Sequence, residues 1–194
     1  MKKKNLQSTK KKIVSAAWKL FYEQGYNGTT IDDIVSESGT SKGSFYHYFS
    51  SKDDLLSSLA YLFDDKYEEL QEIMTDDMSC IEKMLFLNKE LFRMIDDSIS
   101  IDLLTQLLSS QLITKNEKSL LDHNRTYYKL LRSIVIAGQK SGEISDRNSA
   151  NDIVKAYALY ERAMLYDWCL CNGEYSLSDY SSKMLPLFLN GYLR

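Results

Sequence analysis

The amino-acid sequence predicts an all-α protein of about nine helices, with an N-terminal three-helix helix-turn-helix domain followed by a larger helical domain. Apolar residues recur at helical spacing through most of the 194 residues, and no sustained apolar/polar alternation indicates a strand. Sequences of the form Ser/Thr-x-x-Asp/Glu, typical of helix starts, precede apolar runs at Thr30–Asp33, Ser51–Asp54, Ser79–Glu82, Thr114–Glu117, Ser149–Asp152 and Ser176–Asp179. Glycines that can end the helices follow at Gly25, Gly39, Gly142, Gly173 and Gly191.

Charge is divided unevenly along the chain. Residues 1–52 hold nine lysines and four acidic residues, a net charge of +5, whereas the remaining 15 basic and 23 acidic residues give −8. This asymmetry predicts that the N-terminal end faces a polyanion. For Lys2, Lys3 and Lys4, a solvated lysine tail is an equally good interpretation.

Composition argues against several other classes of protein. There is no apolar run near the roughly 18 residues that a membrane span needs, and no apolar stretch behind the first lysines, so we expect a cytoplasmic protein. Cys80, Cys169 and Cys171 form an odd set without disulfide-framework spacing. His47 and His123 are isolated, so we expect no metal site and no cofactor. No phosphate-binding glycine loop or nucleophile constellation indicates an enzyme.

Each of the first three predicted helices buries one apolar stripe. They run from about Ser8 to Gln24, from about Thr30 to Ser38, and from Ser41 to about Phe49. Gly39 provides the backbone freedom for a tight turn between the second and third helices. Two short helices joined in this way and braced by a preceding one place a recognition helix in the DNA major groove. The predicted buried residues are Ile13, Ala17, Leu20, Phe21, Ile31, Ile34, Val35, Phe45 and Phe49.

The third helix presents side chains suited to DNA on its other faces. A lysine can neutralise a phosphate or reach a guanine edge, and a glycine lets the backbone approach closely. Short or planar hydrogen-bonding groups complete the set, which comprises Ser41, Lys42, Gly43, Ser44, Tyr46 and His47. The alternative is that Tyr46, His47 and Tyr48 form only the polar rim of an aromatic core.

The segment GYNGTTIDDIVSESGTSKGSFYHYFSSKDDLL resembles the N-terminal domain of the TetR family of bacterial transcriptional repressors. The resemblance spans about Thr9 to Leu59, and SKGSFYHYF followed by SSKDDLL is its most specific part. Val35 and Thr40 depart modestly from the small apolar residues that are commoner in the turn. The resemblance implies a DNA-binding domain at residues 1–52, with the motif at about 30–49, and a regulatory and dimerisation domain at 53–194.

The same resemblance implies which residues contact the operator. They are Thr30, Thr40, Ser41, Lys42, Gly43, Ser44, Tyr46, His47, Tyr48 and Lys52. Thr30 and Lys52 lie at helix N-termini, where backbone N–H groups favour a phosphate, although helix capping is the alternative role. For Thr30 both roles are compatible if its backbone N–H contacts DNA while its hydroxyl caps the helix. Lys52 is unfavourable in a first helical turn on its own, and a phosphate partner would explain it.

The C-terminal part predicts a connector helix over residues 51–74, which in this family transmits ligand binding to the DNA-binding domains. Further helices are predicted at about 79–95, 100–110, 115–140, 150–171 and 177–193. The last two resemble the pair that forms the family's four-helix dimer interface. An intramolecular core is the alternative for each residue on their apolar stripes, which contain Tyr157, Tyr160, Met164, Trp168, Met184, Leu185, Phe188 and Tyr192.

The resemblance implies a ligand-responsive repressor, and the helix-turn-helix predicts that it binds a pseudo-palindromic DNA operator as a homodimer. The resemblance implies a small, largely apolar effector, for which fourteen tyrosines provide a consistent composition. Five residues are candidates for lining its pocket: Phe86, Phe92, Leu103, Tyr127 and Tyr128. The alternative function is a helical protein-interaction module that reuses the helix-turn-helix without specific DNA readout.

Overall fold

The structure, a computed structural model, describes residues 2–56, 58–113 and 118–193. Within these ranges it contains ten α-helices and no β-strand, which confirms the all-α prediction. The helices are α1 (Lys2–Gln24), α2 (Ile31–Ser38), α3 (Lys42–Tyr48), α4 (Lys52–Leu56), α5 (Leu59–Ile73), α6 (Cys80–Ser98), α7 (Ile101–Ile113), α8 (Thr126–Ser141), α9 (Ala150–Leu170) and α10 (Leu177–Leu189). Short 3₁₀ turns lie at Ser119–Leu121 and Asn190–Tyr192. None of the described helices is long and apolar enough to span a membrane.

Helix starts follow the predicted capping sequences. At α2 the Thr30 hydroxyl accepts a hydrogen bond from the Asp33 amide at 3.2 Å, and the Asp33 carboxylate accepts one from the Thr30 amide at 2.8 Å. This reciprocal arrangement satisfies two N–H groups that the helix itself leaves unpaired. Serine hydroxyls at residues 51, 79, 149 and 176 likewise accept a hydrogen bond from the amide three residues on, whereas the Thr114–Glu117 sequence lies outside the described residues.

The connector differs from its prediction. The helix predicted over residues 51–74 is two helices, since α4 ends at Leu56 and α5 begins at Leu59. The Ser58 amide donates to the Leu55 carbonyl at 2.9 Å, an i to i−3 bond that tightens the end of α4 instead of extending it. No glycine or proline marks this break in the sequence.

A second difference concerns the helix predicted over residues 115–140. The first of these residues lie outside the described ranges, but α8 begins only at Thr126. The Asp122 carboxylate accepts a hydrogen bond from the Asn124 amide at 2.8 Å. This local bond offers the backbone an alternative to the helix, which is why a segment with helical apolar spacing becomes helical late.

The chain forms two compact units. The first comprises residues 1–60 and 99–120, so α7 belongs with the N-terminal helices and packs against α4. Its core contains Ile13, Ala17, Phe21, Ile34, Phe45 and Phe49 as predicted, whereas Leu20, Ile31 and Val35 are half-buried. The functional boundary expected at residue 52 stays a prediction.

The second unit comprises residues 61–98 and 121–194. Helix α6 packs extensively against α10 and also contacts α8, which in turn packs against α9. The interior is apolar and includes Leu87, Phe92, Leu131, Val135 and Leu177. Several polar side chains are buried in the same unit, and they are described below.

Candidate nucleic-acid interface and effector unit

The turn between α2 and α3 is fixed by backbone geometry and by short polar side chains. Gly39 adopts φ +61°, a left-handed conformation that L side chains rarely adopt. The Thr40 amide donates to the Val35 carbonyl at 3.2 Å, and the hydroxyls of Ser38 and Thr40 lie 2.8 Å apart. The Ser41 hydroxyl then accepts from the Ser44 amide at 3.1 Å and starts α3. These contacts set where α3 begins and how it leaves the turn.

Helix α3 is anchored by two aromatic side chains, and most of its other residues are exposed. Phe45 is fully buried and Phe49 nearly so, with ring centroids 5.8 Å apart. Tyr46 is 56% exposed, and its ring meets Phe45 edge-on at 5.4 Å. Of the other predicted contact residues of the turn and helix, Ser41, Lys42, Gly43 and His47 are exposed, and Thr40, Ser44 and Tyr48 are half-buried. The alternative of a polar rim on an aromatic core describes Tyr48 better than Tyr46.

Gly43 is not required by the packing of the protein. A Cβ atom added there would meet only the Ser41 hydroxyl, at an ordinary contact distance of 3.8 Å. Because glycine in a helix costs about 0.5–1 kcal/mol relative to alanine, the fold alone does not account for this residue. The space above Gly43 lies on the exposed side of α3, where a DNA backbone could approach closely.

Lys42 is paired with a residue that the sequence analysis did not single out. Its ammonium lies 2.6 Å from the Asp32 carboxylate, and this hydrogen bond raises the pKa of the lysine above its usual value. Both side chains are largely exposed, so the pair is weak in free energy and screened by salt. Asp32 lies in the first turn of α2, a position where an acidic residue is expected for helix stability alone.

Thr30 does not offer its backbone N–H in the way that was expected. That N–H donates to the Asp33 carboxylate, and the Thr30 hydroxyl also donates to it at 2.6 Å. These bonds lower the pKa of Asp33. In this structure the amide and the hydroxyl of Thr30 both serve the cap of α2, so a phosphate would have to displace Asp33 to reach the N–H.

Lys52 has partners within the protein. Its ammonium donates to the carbonyl oxygens of Tyr26 at 2.7 Å and Thr29 at 2.8 Å, and lies 4.2 Å from the centre of the Tyr26 ring. Partial burial lowers the pKa of Lys52. A phosphate partner is therefore not needed to explain a lysine in the first turn of α4, because these carbonyls stabilise its charge.

Residues 13–59, which contain all of this geometry, match the family model for bacterial regulatory proteins of the tetR family. The likeness extends over the whole chain in a fatty acid metabolism regulator protein of Bacillus subtilis (strain 168), which is 25% identical over 186 residues, 92% of this chain and 93% of that protein. Residues 13–59 of this chain are therefore a segment of the tetR family of bacterial regulatory proteins, and over most of its length the chain is similar to a regulator of fatty acid metabolism.

Two further relatives differ in how much of this chain they resemble. An HTH-type transcriptional regulator of Lactococcus lactis subsp. lactis is 54% identical over 48 residues, which are 25% of this chain and 24% of that protein. Thermus thermophilus FadR, a TetR-family repressor in complex with lauroyl-CoA, has a TM-score of 0.77 at 21% identity, over 95% of each chain. Sequence likeness is therefore highest in a short segment, and the fold of the whole chain is shared with a TetR-family repressor.

The second unit of the chain contains a buried carboxylate. Glu161 is 5% exposed and accepts hydrogen bonds from the Asn88 amide at 2.9 Å and the Tyr127 hydroxyl at 2.6 Å. The Ser181 hydroxyl donates to the Asn88 side-chain carbonyl at 2.7 Å. We call these four residues the Glu161 hub, and it joins α6, α8, α9 and α10. Burial raises the pKa of Glu161, although its hydrogen bonds partly oppose that shift.

A buried ion pair lies in the same unit. The Arg125 guanidinium donates to the Asp64 carboxylate at 2.9 and 3.2 Å, and the Tyr127 amide donates to the same carboxylate at 3.1 Å. These bonds tie α5 to the start of α8. The Tyr67 ring packs 5.1 Å from the Tyr127 ring, but the Tyr67 hydroxyl is buried without a hydrogen-bond partner among the described residues. Neither this pair nor the Glu161 hub was found by sequence reasoning.

The predicted pocket residues are mostly interior. Phe92, Leu103, Tyr127 and Tyr128 are buried and Phe86 is half-buried, with Leu103 in the first unit and the others in the second. A polar surface cleft of the second unit is lined by Lys89, Arg93, Asp96, Trp168 and Tyr175 among others. None of the five predicted pocket residues lines that cleft, and their role in effector binding stays a prediction.

The predicted dimer contacts divide into two groups. Tyr157, Met164, Trp168 and Leu185 are buried inside the chain itself, so the alternative of an intramolecular core describes them. Tyr160, Met184, Phe188 and Tyr192 are half-buried, and the Tyr160 and Phe188 rings stack at 5.1 Å. The exposed apolar residues of these helices are others, and we call them the α9–α10 apolar face: Leu159, Tyr166 and Leu170 on α9, with Tyr180 and Leu187 on α10.

Proposed function

We propose that this TetR-family regulator acts in the cytoplasm as a homodimeric repressor, and that α3 reads the bases of a pseudo-palindromic operator. The observation that carries the proposal is the exposed face of α3, where Tyr46 and His47 extend from a helix anchored by Phe45 and Phe49. Exposed aromatic and imidazole groups on a short helix have few uses for the fold, whereas base edges in a major groove offer them partners.

The test is selection of bound DNA from a random pool, followed by binding measurements on the selected site. A pseudo-palindromic sequence is the expected result, because a dimer presents α3 twice. Tyr46→Ala and His47→Ala should each weaken binding by about 1–3 kcal/mol and relax specificity at one position. Tyr22→Ala, which removes a 70% exposed tyrosine from α1, is the matched control and should leave affinity unchanged. A pool without enrichment would favour the interaction-module alternative.

Contacts to phosphates are proposed for Lys42 and for the polar groups around the start of α3. Lys42 is exposed, and its pair with Asp32 is one that a phosphate can replace at small cost. Lys42→Ala should reduce the magnitude of the slope of log affinity against log salt by roughly 0.9 for each phosphate that the lysine neutralises. Lys19→Ala is the control, since Lys19 forms an equally short pair with Glu37 elsewhere on the first unit. Equal slopes for both variants and wild type would show that Lys42 neutralises no phosphate.

The homodimer is proposed to form through the α9–α10 apolar face. Its α9 residues recur at positions 159, 166 and 170, one side of a helix, and Leu170 is 64% exposed. Exposed apolar residues aligned on one side of a helix are typical of an interaction site. Leu170→Glu should shift the protein to monomer in sedimentation experiments and abolish tight operator binding, whereas Ile73→Glu, at a 55% exposed position on α5, should do neither. A wild-type monomer that binds its operator tightly would contradict the dimer.

The effector is proposed to be a small molecule with a large apolar part. Acyl-CoA thioesters, which join an apolar acyl chain to a charged CoA group, are the first class to test. The support is the relative that regulates fatty acid metabolism and the repressor of the same fold that holds lauroyl-CoA. Calorimetry of lauroyl-CoA should give weaker binding in the presence of operator DNA, by the same factor that lauroyl-CoA weakens operator binding. Free CoA is the control. Identical affinity with and without operator would mean that this compound is not the effector, because equal affinity for both states shifts no equilibrium.

A further inference from the structure

The first two residues of α4 hold the turn that leads into α2. The Lys52 ammonium binds the carbonyl oxygens of Tyr26 and Thr29, and the Tyr26 hydroxyl donates a hydrogen bond to the Asp53 carboxylate. We call this arrangement of Lys52, Asp53, Tyr26 and Thr29 the α4 clamp. Its partners are 23 to 27 residues apart in sequence, so it joins elements that the chain itself separates by α2 and α3.

We propose that Lys52 is a positioning residue for DNA binding, acting through the carbonyls of Tyr26 and Thr29 rather than as a phosphate contact. This inference rests on the proposed operator binding by α3. It replaces the role that the family resemblance implies for Lys52, and it assigns Tyr26, a residue absent from the predicted contacts, to the same device.

The contacts of the turn show why the clamp is stiff. Tyr26 is 5% exposed and packs on Phe21 at 5.1 Å, and Thr29 is 1% exposed. The Thr29 hydroxyl donates to the Gly25 carbonyl at 2.8 Å, and the Thr29 amide donates to the Tyr26 carbonyl at 3.3 Å. The turn is therefore bound to α1 on one side and to Lys52 on the other.

The ammonium suits its position chemically. Two of its three N–H donors are directed at carbonyl oxygens of one turn, and the face of the Tyr26 ring adds a cation–π contact at 4.2 Å. Hydrogen bonds from a charged donor to carbonyls are stronger than neutral ones, and partial burial screens them less from salt. A neutral side chain at position 52 would leave both carbonyls without this donor.

The clamp acts on α3 through the start of α2. Thr29 is followed directly by Thr30, whose capping box sets where α2 begins, and α2 leads through the Gly39 turn to α3. Helix α4 leads in the other direction along the chain to α5. Helix α4 is thus connected to the turn before α2 by the clamp and to the end of α3 by the chain. A displacement of α4 would move both ends of the helix-turn-helix together.

Salt dependence distinguishes positioning from phosphate contact. Removing a lysine that neutralises a phosphate reduces the magnitude of the log–log salt slope by roughly 0.9 per contact, because fewer counterions are released. Removing a positioning residue lowers the fraction of protein competent to bind, which reduces affinity by the same factor at every salt concentration. The two roles therefore predict different slopes for one substitution.

The experiment uses the full chain, the operator DNA selected from the random pool, and the variants Lys52→Met, Tyr26→Phe and their combination. Lys52→Met should weaken operator binding by at least roughly tenfold, since one hydrogen bond from a charged donor is worth about that factor and Lys52 makes two, with the wild-type salt slope retained. Tyr26→Phe, which keeps the ring and removes only the bond to Asp53, should weaken it less. In the double variant the loss of operator affinity should be smaller than the product of the two single losses, because both substitutions disrupt the same α4 clamp. Lys19→Met is the control and should bind as wild type.

Hydrogen exchange without DNA supplies the second measurement. The Thr29 amide should exchange several-fold faster in Lys52→Met than in wild type or Lys19→Met, while amides of α1 keep their protection. If wild-type protein binds no DNA, the proposed function fails and this exchange experiment still decides whether the clamp exists. A salt slope reduced by roughly 0.9 per half-site in Lys52→Met, or an unchanged Thr29 exchange rate, would overturn the inference.

Discussion

The exposed face of α3 and the Glu161 hub contain similar side chains, which are exposed in the first region and buried in the second. Tyr46 on α3 and Ser41 at its N-cap are exposed and make contacts only with close neighbours in sequence among the described residues. Tyr127 and Ser181 in the hub are buried and bind partners 34 and 93 residues away. Residue type alone therefore does not separate a recognition surface from a structural core. What separates them is whether the protein already provides partners for the polar atoms.

The largest effect should come from the buried ion pair beside the hub. Arg125→Met leaves the Asp64 carboxylate buried with only the Tyr127 amide among its described partners, and should lower the free energy of unfolding by about 3–5 kcal/mol. Lys66→Met, which breaks the more exposed pair with Glu69, should change it by less than about 1 kcal/mol. Urea denaturation measures both. If both variants lost the same free energy of unfolding, the buried ion pair would contribute no more to stability than the exposed one.

The same substitution in the two regions should have opposite consequences. Tyr127→Phe removes a donor from Glu161 and should lower the free energy of unfolding by about 1.5–3 kcal/mol. Tyr46→Phe should leave stability within about 0.5 kcal/mol of wild type but weaken operator binding. Denaturation and DNA titration on both variants provide the cross-comparison. A Tyr46→Phe variant that binds DNA normally would show that the Tyr46 hydroxyl makes no contact that contributes to operator binding.

The buried Glu161 of the hub should make the free energy of unfolding depend on pH. Because burial raises the pKa of Glu161, the folded protein holds this proton more tightly than the unfolded chain does. The contribution of Glu161 to stability is then largest below the unfolded pKa and is lost as pH rises through the folded pKa. The free energy of unfolding of wild type minus that of Glu161→Gln should thus be larger at about pH 5 than at about pH 8. Glu72→Gln, at an exposed position of α5, should show no such change.

The smallest effect concerns Gly43 and has opposite signs for folding and binding. Gly43→Ala should raise the free energy of unfolding by about 0.5–1 kcal/mol, because the new Cβ meets nothing closer than 3.8 Å in the protein. It should also weaken operator binding if the DNA backbone lies against this position. Gly28→Ala provides the contrast, since its Cβ would meet the Gln24 carbonyl oxygen at 2.5 Å and should destabilise the fold. Unchanged operator affinity in Gly43→Ala would place the DNA elsewhere.

The sequence predicted the helix-turn-helix closely because its determinants are local. Helices α2 and α3 begin and end within one residue of their expected bounds, since capping residues and a left-handed glycine lie inside the segment itself. The same logic located five of the six predicted helix starts. It failed at the break after Leu56, where no glycine or proline marks the chain, and at α8, where the bond between Asp122 and Asn124 competes with the helix.

The contacts of Lys52 and of the hub could not be predicted from local sequence patterns, because they join residues that are far apart in the chain. Lys52 binds carbonyls of a turn more than twenty residues earlier, which neither periodicity nor charge pattern predicts. One signal for the hub was present, because Glu161 lies four residues after Tyr157 on an otherwise apolar stripe of α9. A lone carboxylate on a buried face needs donors. Their identity, however, depends on how four helices pack.

The sequence separation within the hub also has a consequence for synthesis. Asn88 binds Glu161 and Ser181, which follow it by 73 and 93 residues. At roughly 5–20 residues per second, a ribosome takes several seconds to add residue 181 after residue 88. For that interval Asn88 and the apolar residues around it have no complete interior to enter, so the nascent second unit is exposed to chaperones and proteases until α10 emerges.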